Sequence, residues 1–164
     1  MGRASVRAQL ASYFSPANVG SSLATTYPSR PKEVPGQAFN LSQNGGSGGV
    51  LIIYLPNDDE KRLTLGPPTA AQKFNVHDVA MEVRFQSVKP DAIAAQADHD
   101  ALIDAIMTQF RKDRTLGSTN GVPIWQAGEG SEGIKLTLSE PKLSKQSFVL
   151  NGVIRFQAYE VVTG

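Results

Sequence analysis

The sequence predicts an α+β fold, a mainly antiparallel β-sheet with a long helix and a short N-terminal helix packed on one face. Two observations support this prediction. Apolar residues recur with a helical period in two segments and with a strand period in several others. The predicted strands also come in runs and do not alternate with helices, which is typical of α+β proteins. A length of 164 residues suits one domain, so we predict a single domain over residues 1–164.

The first predicted elements are a helix and a short edge strand. A helix over residues 5–14 follows from apolar side chains spaced three or four apart, namely Val6, Leu10, Tyr13 and Phe14. Pro16 is expected to end this helix, because proline interrupts helical hydrogen bonding. Residues 23–27 are a β-branched and aromatic run closed by Pro28, which indicates an edge strand.

Proline and glycine dominate the next part of the chain and predict long loops. Most of the ten prolines lie at or before Pro90. We expect loops at 28–49 and 57–73, with a short strand near residues 38–41 inside the first loop. The glycine-rich stretch at 44–49 (NGGSGG) predicts a flexible segment.

A buried strand and a hairpin are predicted in the middle of this region. Residues 50–55 form a continuous apolar run bounded by Gly49 and Pro56, as expected for a strand covered on both faces. A polar turn at 57–60, followed by an apolar pattern at 62–65, predicts that the two runs pair as a hairpin.

The second half carries the longest regular elements. Residues 74–88 alternate apolar and polar side chains, which is the pattern of a half-buried strand. Residues 91–112 predict the longest helix, which is capped by Asp91 and has basic residues at its end. Its predicted apolar stripe is Ile93, Ala94, Ala97, Ala101, Leu102, Ala105, Ile106 and Phe110.

Further strands are predicted at 122–126, at 133–138 and near the end of the sequence. The last strand places one apolar set on one face, namely Phe148, Leu150, Ile154, Phe156 and Ala158. Gly152 interrupts the alternation and predicts a β-bulge.

Composition excludes several function classes. The absence of cysteine excludes thiolate zinc sites, iron–sulfur clusters, disulfides and a cysteine nucleophile. The 16 lysines and arginines balance 15 aspartates and glutamates, so no basic excess favours a dedicated nucleic-acid-binding protein. The most apolar run is about six residues long, whereas a membrane-spanning helix needs roughly 20. We therefore expect no membrane contact.

Metal or hydrolase chemistry would depend on the two histidines. His77 with Asp78 resembles half of a His-Asp metal site, but the further histidines of such sites are missing. We therefore interpret His77 as a polar residue at the start of a strand. Asp98, His99 and Asp100 are consecutive in the predicted helix and point about 100° apart, so they cannot bind one ion together. We interpret this segment as a solvated helix face.

No other catalytic or cofactor motif is complete. The glycines at 44–49 and 128–133 lack the helix that follows them in P-loops and dinucleotide sites. No GxSxG motif marks a serine nucleophile. Four glutamates show no catalytic spacing, namely Glu82, Glu129, Glu132 and Glu160. We therefore predict no enzyme, no cofactor and no metal, although spacing alone does not exclude paired carboxylates.

Four residues are candidates for assembly contacts. Lys61, Arg62 and Lys73 cluster around the predicted hairpin and the loop after it, where they form either a solvated tip or a contact with protein or DNA. Trp125, the only tryptophan, lies in an apolar strand context typical of a core or a subunit interface.

The order of the elements resembles a known family. A short helix precedes a proline-punctuated strand region that contains VLIIYLP (50–56). A strand, HDVAMEVRFQSV (77–88), leads into a long helix, DAIAAQADHDALIDAIMTQFRKD (91–113), and the last strand reads SFVLNGVIRFQAYEVV (147–162). Over most of the chain, this order is similar to that of the tail terminator proteins of long-tailed bacteriophages, also called tail completion or minor tail proteins.

The resemblance implies a structural virion protein that catalyses no reaction. Such subunits form hexameric rings that cap the head-proximal end of the tail tube, end its polymerisation and join the tail to the head connector. The implied partners are other copies of this chain, the tail tube protein and the head connector or stopper protein, with DNA only passing through the lumen. The implied location is the tail-neck region of the virion, assembled in the host bacterial cytoplasm.

Two alternatives stay open. A head–tail connector or head-closure subunit also forms rings from similar elements. A small soluble hydrolase or ligand-binding domain would depend on a pocket that residue spacing does not reveal.

Overall fold

The computed structural model describes residues 2–62, 72–118, 124–125, 133–144 and 146–163. The helices are α1 (Arg3–Tyr13), α2 (Pro16–Val19) and α3 (Ala92–Lys112), with a 3-10 helix at Gly36–Phe39. The strands are β1 (Leu23–Tyr27), β2 (Ser47–Arg62), β3 (Gln72–Ser87), β4 (Ile124–Trp125), β5 (Lys135–Leu138), β6 (Lys142–Ser144) and β7 (Ser147–Thr163). These elements confirm the predicted α+β class.

The described strands form one sheet in the order β1-β2-β3-β7. The short strands β4, β5 and β6 all pair with the outer side of β7, at successive positions along it. Only β1 runs parallel to its neighbour, β2, and every other pairing in this sheet is antiparallel. The prediction of a mainly antiparallel sheet is therefore confirmed.

The main core lies between this sheet and both long helices. Alternate residues of β2, β3 and β7 face α1 and α3, and the largest of them, including Leu51, Met81, Phe85 and Ile154, are fully buried. Three aromatic rings pack against one another between the helices and β7. The ring centroid of Phe110 lies 4.6 Å from that of Phe14 and 4.8 Å from that of Phe156. Both helices pack on one face, as predicted.

The opposite face of β2 has its own cover, built by residues 28–46. Phe39 packs there on Val50 and Ile52, so the apolar run of β2 is buried on both faces, as predicted. The predicted strand near residues 38–41 is wrong. Pro35 is the N-cap of the 3-10 helix, and Asn40 ends it with a left-handed φ of 51°.

The loop predicted at 28–49 ends earlier than expected, because Ser47, Gly48 and Gly49 already belong to β2. The glycines permit close packing here. A Cβ atom on Gly48 would lie 2.0 Å from the carbonyl oxygen of Phe39, and one on Gly49 would lie 2.2 Å from Leu102. The glycine-rich stretch is thus partly a strand that other groups approach from both faces.

The hairpin predicted around a turn at 57–60 is also wrong. Strand β2 continues through these residues to Arg62 and pairs with β3, so residues 57–62 and 72–73 of the predicted 57–73 loop are strand. The register shifts by one residue between Tyr54 and Asn57, which accommodates Pro56 and its missing N–H donor. The actual hairpin joins β2 to β3 through residues 63–71, which lie outside the described residues, as do residues 63–65 of the predicted second strand.

Helix α3 confirms its predicted cap and the C-terminal part of its predicted stripe. The Asp91 carboxylate accepts a hydrogen bond of 2.9 Å from the Ile93 backbone N–H. The side chain of Ile93 is nevertheless 80% exposed. The predicted Leu102, Ile106 and Phe110 are buried, whereas the predicted alanines are not on the buried face, which consists of Ala95, His99, Leu102, Ile103, Ile106, Gln109 and Phe110. The alanine-rich first turns fit several helix rotations, and packing against the sheet selects the one that buries His99.

Strand β7 differs from its prediction at Gly152. This residue pairs with Val83 in an uninterrupted register, so there is no bulge at this position. The glycine makes room for a neighbour instead, because a Cβ atom would lie 2.9 Å from Leu138 Cδ2. Strand β6 was not predicted, while β4 and β5 lie inside the strands predicted at 122–126 and 133–138.

Candidate assembly surface

His77 lies inside β3 and not before it, which corrects the interpretation as a strand-start residue. It pairs across the sheet with Asp58 on one side and Ala158 on the other. Only 3% of its surface is exposed. Its Nδ1 lies 2.7 Å from Asp58 Oδ1, and its Nε2 lies 2.9 Å from Glu160 Oε2. The fold thus brings together a histidine and two carboxylates that are distant in the sequence.

Hydrogen bonds connect the side chains of this cluster across three strands. A neutral imidazole donates at one nitrogen only, so two carboxylate partners require an imidazolium or a protonated carboxyl. Arg3 from the first turn of α1 pairs with the other oxygen of Asp58. Glu160 is only 1% exposed and His77 only 3% exposed, so this cluster links α1 to the sheet largely inside the fold.

His99 occupies the core and not a solvated helix face, which corrects a second prediction. Its ring packs edge-on to Phe85 at 5.3 Å between centroids. Neither ring nitrogen has a hydrogen-bond partner in the described part of the chain. Burial therefore lowers the pKa of His99, with a smaller opposing effect from Asp100. The neighbouring Asp98 points elsewhere, to Ser47 and Lys89.

The predicted basic candidates are brought to one end of the sheet. Arg62 pairs with Lys73 and Lys61 with Phe74, so the backbone places all three basic residues where β2 and β3 end. Trp125 lies in β4, paired with Ala158 on the outer side of β7. Lys73 pairs with Val162, four residues after Ala158 along β7, so Lys73 and Trp125 lie about 13 Å apart along the strand direction. Their role as contacts stays a prediction.

Sequence reasoning missed the surface that the structure exposes most clearly. All residues of β5 and β6 are exposed, including three leucines on the helix-bearing face of the sheet. Leu136 is 40% exposed, Leu138 is 44% exposed and Leu143 is 72% exposed. In the described ranges no strand pairs with the outer side of β5 or β6. We call residues 135–144 the leucine edge.

Two other large apolar side chains of the described residues are exposed, Val88 at 50% and Ile93 at 80%. Val88 follows the last residue of β3, and its backbone N–H donates a hydrogen bond of 2.8 Å to the carbonyl oxygen of Gly46 on the β2 side. Ile93 lies in the first turn of α3. Three of the five large exposed apolar side chains thus lie along one sheet edge, and exposed apolar patches are typical of protein–protein contact surfaces.

A polar cleft of about 340 Å³ lies on β7 near the start of β5. Lys135 and Arg155 line it together with Asn57, Asp78 and Gln157. The Gln157 amide donates a hydrogen bond of 3.0 Å to Asp78. The lining combines two cations and two amides with one carboxylate, a set that suits an anionic group better than a metal. Among the described residues, no group of three or more His, Asp and Glu side chains is arranged to hold a metal ion.

Comparison with known proteins gives little further information. No family model and no curated protein matches the chain. One solved structure, titled "Virion of native gene transfer agent (GTA) particle", contains a similar chain with 16% sequence identity and a TM-score of 0.32. The match covers 96% of this chain and 94% of that one. A likeness of this size identifies neither the family nor the role of this chain, so the resemblance to tail terminators stays a prediction. No described helix is long and apolar enough to cross a membrane.

Replacing His77 by alanine should strongly destabilise the protein. The change removes the group between two carboxylates and leaves Glu160 buried without it, which typically costs about 3–5 kcal/mol in the free energy of unfolding. The matched control is the neighbouring Asp78→Asn, which alters the hydrogen bond that Asp78 accepts from Gln157. It should cost about 1 kcal/mol. Urea denaturation measures both. Equal losses in the two variants would show that the cluster contributes no special stability.

His99 should make stability depend on pH. Its folded-state pKa is lowered, so as pH falls below about 6.5 the unfolded chain takes up a proton that the folded protein does not. The contribution is therefore complete above that pH and is lost as pH falls towards the lowered pKa. We expect His99→Leu to lose less stability than the wild type between about pH 7.5 and about pH 5.5 in urea denaturation. Identical losses would contradict this assignment.

Proposed function

We propose that this protein is a structural virion subunit that forms a ring at the head-proximal end of a phage tail tube. There it ends tube polymerisation and joins the tail to the head connector. It works by oligomerisation and shape, with no reaction and no cofactor. The observation that carries the proposal is the leucine edge, a strand edge with three exposed leucines on one face.

An edge of this kind favours association with another protein. Its outer backbone groups provide a template for a further strand, and its leucines gain roughly 25 cal/mol for each Å² removed from water. Lys135, Lys142 and Pro141 interrupt the apolar pattern, as residues that restrain unlimited aggregation do. The edge therefore suits a specific assembly with a defined end point.

The long sheet supports an assembly role in a second way. Beyond the helices, β2, β3 and β7 continue as a three-stranded arm whose backbone carries Lys61, Arg62 and Lys73 near its end. In the proposed ring, this arm reaches a neighbouring copy, the tail tube protein or the head connector or stopper protein. DNA only passes through the lumen, since the near-neutral chain carries no general nucleic-acid affinity. The ring is located in the tail neck of the virion after assembly in the host bacterial cytoplasm.

The same features suit a head–tail connector or head-closure ring. Deletion of the gene separates the two roles. Overlong tail tubes would identify a terminator, whereas tails of normal length that fail to join heads would identify a connector.

The cleft at Lys135 and Arg155 favours one function of another class, a small ligand-binding domain or hydrolase for an anionic compound. This candidate requires no oligomer. A protein that stays monomeric at every concentration and binds a small anion would replace the ring proposal.

Leu138→Glu should prevent ring formation without unfolding the subunit, because it places a charge on a surface that the ring would bury. Ala97→Glu is the matched control, at an exposed position of α3 away from the leucine edge. Native mass spectrometry and negative-stain microscopy should show rings for the wild type and the control and monomers for the edge variant. Rings of unchanged stability in Leu138→Glu would contradict a role for this edge.

A further inference from the structure

Resting on the proposed ring, we infer how its subunits join: β5 of one copy adds to β1 of the next, so that the sheet continues from subunit to subunit. The described sheet has two different open edges, β1 at one side and the leucine edge at the other. A contact between two different surfaces is head to tail, and repeated contacts of that type close into a ring when the rotation permits. The leucine edge is therefore covered by a second copy of this chain.

The strand directions fit this junction. β1 runs parallel to β2, and each later step from β2 to β3, to β7 and to β5 reverses direction. Three reversals leave β5 antiparallel to β1. When the sheet repeats by placing the next copy beside the first, β5 meets β1 in the antiparallel sense, which is the more stable pairing per residue.

The register across the sheet identifies the residues that meet. Thr26 pairs with Leu51, Leu51 with Val83, Val83 with Gly152, and Gly152 with Leu138. These five residues form one row at a single height along the strands. A copy added at equal height therefore places its Thr26 beside Leu138 of the first.

The adjacent row gives a second pair. Tyr27 and Thr137 are linked in the same way, through Ile52, Glu82 and Val153. Paired residues of one row lie on the same face, so Leu138 meets the face of β1 on which α2 packs.

The side chains at the junction are compatible. Strand β1 (LATTY) and helix α2 (PANV) carry no charge. The same register places Lys135 opposite Ser29 and next to Arg30, whose guanidinium is paired with Glu82. Thr137 beside Tyr27 is a pair of a β-branched and an aromatic residue, which stabilises antiparallel strands. Leu138 lies over Gly152, where a Cβ would clash, so it approaches the sheet closely and extends the apolar surface to the edge.

Because the natural chain has no cysteine, disulfide trapping tests this junction without background. Side chains opposite each other in antiparallel strands have Cβ atoms about 4.5–5.5 Å apart, close to what a disulfide requires. The variant Thr26→Cys with Leu138→Cys should give, under mild oxidation, a ladder of covalent oligomers that reductant abolishes. Each single variant should stay uncross-linked. Thr26→Cys with Thr137→Cys is the matched control, with the second cysteine on the opposite face, and should give no ladder.

The possible outcomes separate this inference from the ring itself. Rings seen by microscopy without a ladder would overturn the β5–β1 junction and leave the ring proposal standing. A dimer trapped by Thr137→Cys alone would show that two leucine edges pair about a two-fold axis, which also overturns the junction. A chain that stays monomeric at every concentration would overturn both proposals, whereas a ladder ending at the size of the native ring confirms the junction.

Discussion

The structure depends on the pairing of three long strands, β2, β3 and β7, of 16, 16 and 17 residues. The middle strand, β3, is paired along its whole length with β7, and with β2 except at one bulge. Because the apolar run of β2 needs cover on both faces, the chain supplies helices on one face and residues 28–46 on the other. Every other element either covers this three-stranded unit or extends its edge.

The three strands are longer than the helices that cover them, and this mismatch explains the buried cluster. Where the apolar core ends, side chains of β2, β3 and β7 still lie beneath the first turn of α1. The sheet places Asp58, His77 and Glu160 there, and Arg3 joins them from the helix. A mutually hydrogen-bonded set satisfies polar groups that burial would otherwise penalise. The cluster therefore links the first turn of α1 to the sheet where the apolar core ends.

The sequence predicts correctly those features that depend on residues close together in the chain. Asp91 caps α3, and the alternating residues 79–85 lie in β3, both as predicted. Both features depend on neighbours in the sequence. The polar residues 57–60 belong to a strand because distant residues of β3 pair with them, and no local pattern contains that information. The burial of His99 depends likewise on the rotation of α3 against the sheet.

The leucine edge shows the same limit for function. Lys-Leu-Thr-Leu at 135–138 alternates like an ordinary half-buried strand, and only the fold shows that no helix of the described chain covers its leucines. A monomer would gain by replacing them with polar residues, since exposed apolar edges promote aggregation. Their placement beside a glycine, on an edge broken at residues 139–141, suits a short contact of limited strength. Contacts of limited strength become stable together in a closed ring, where each subunit is held on two sides.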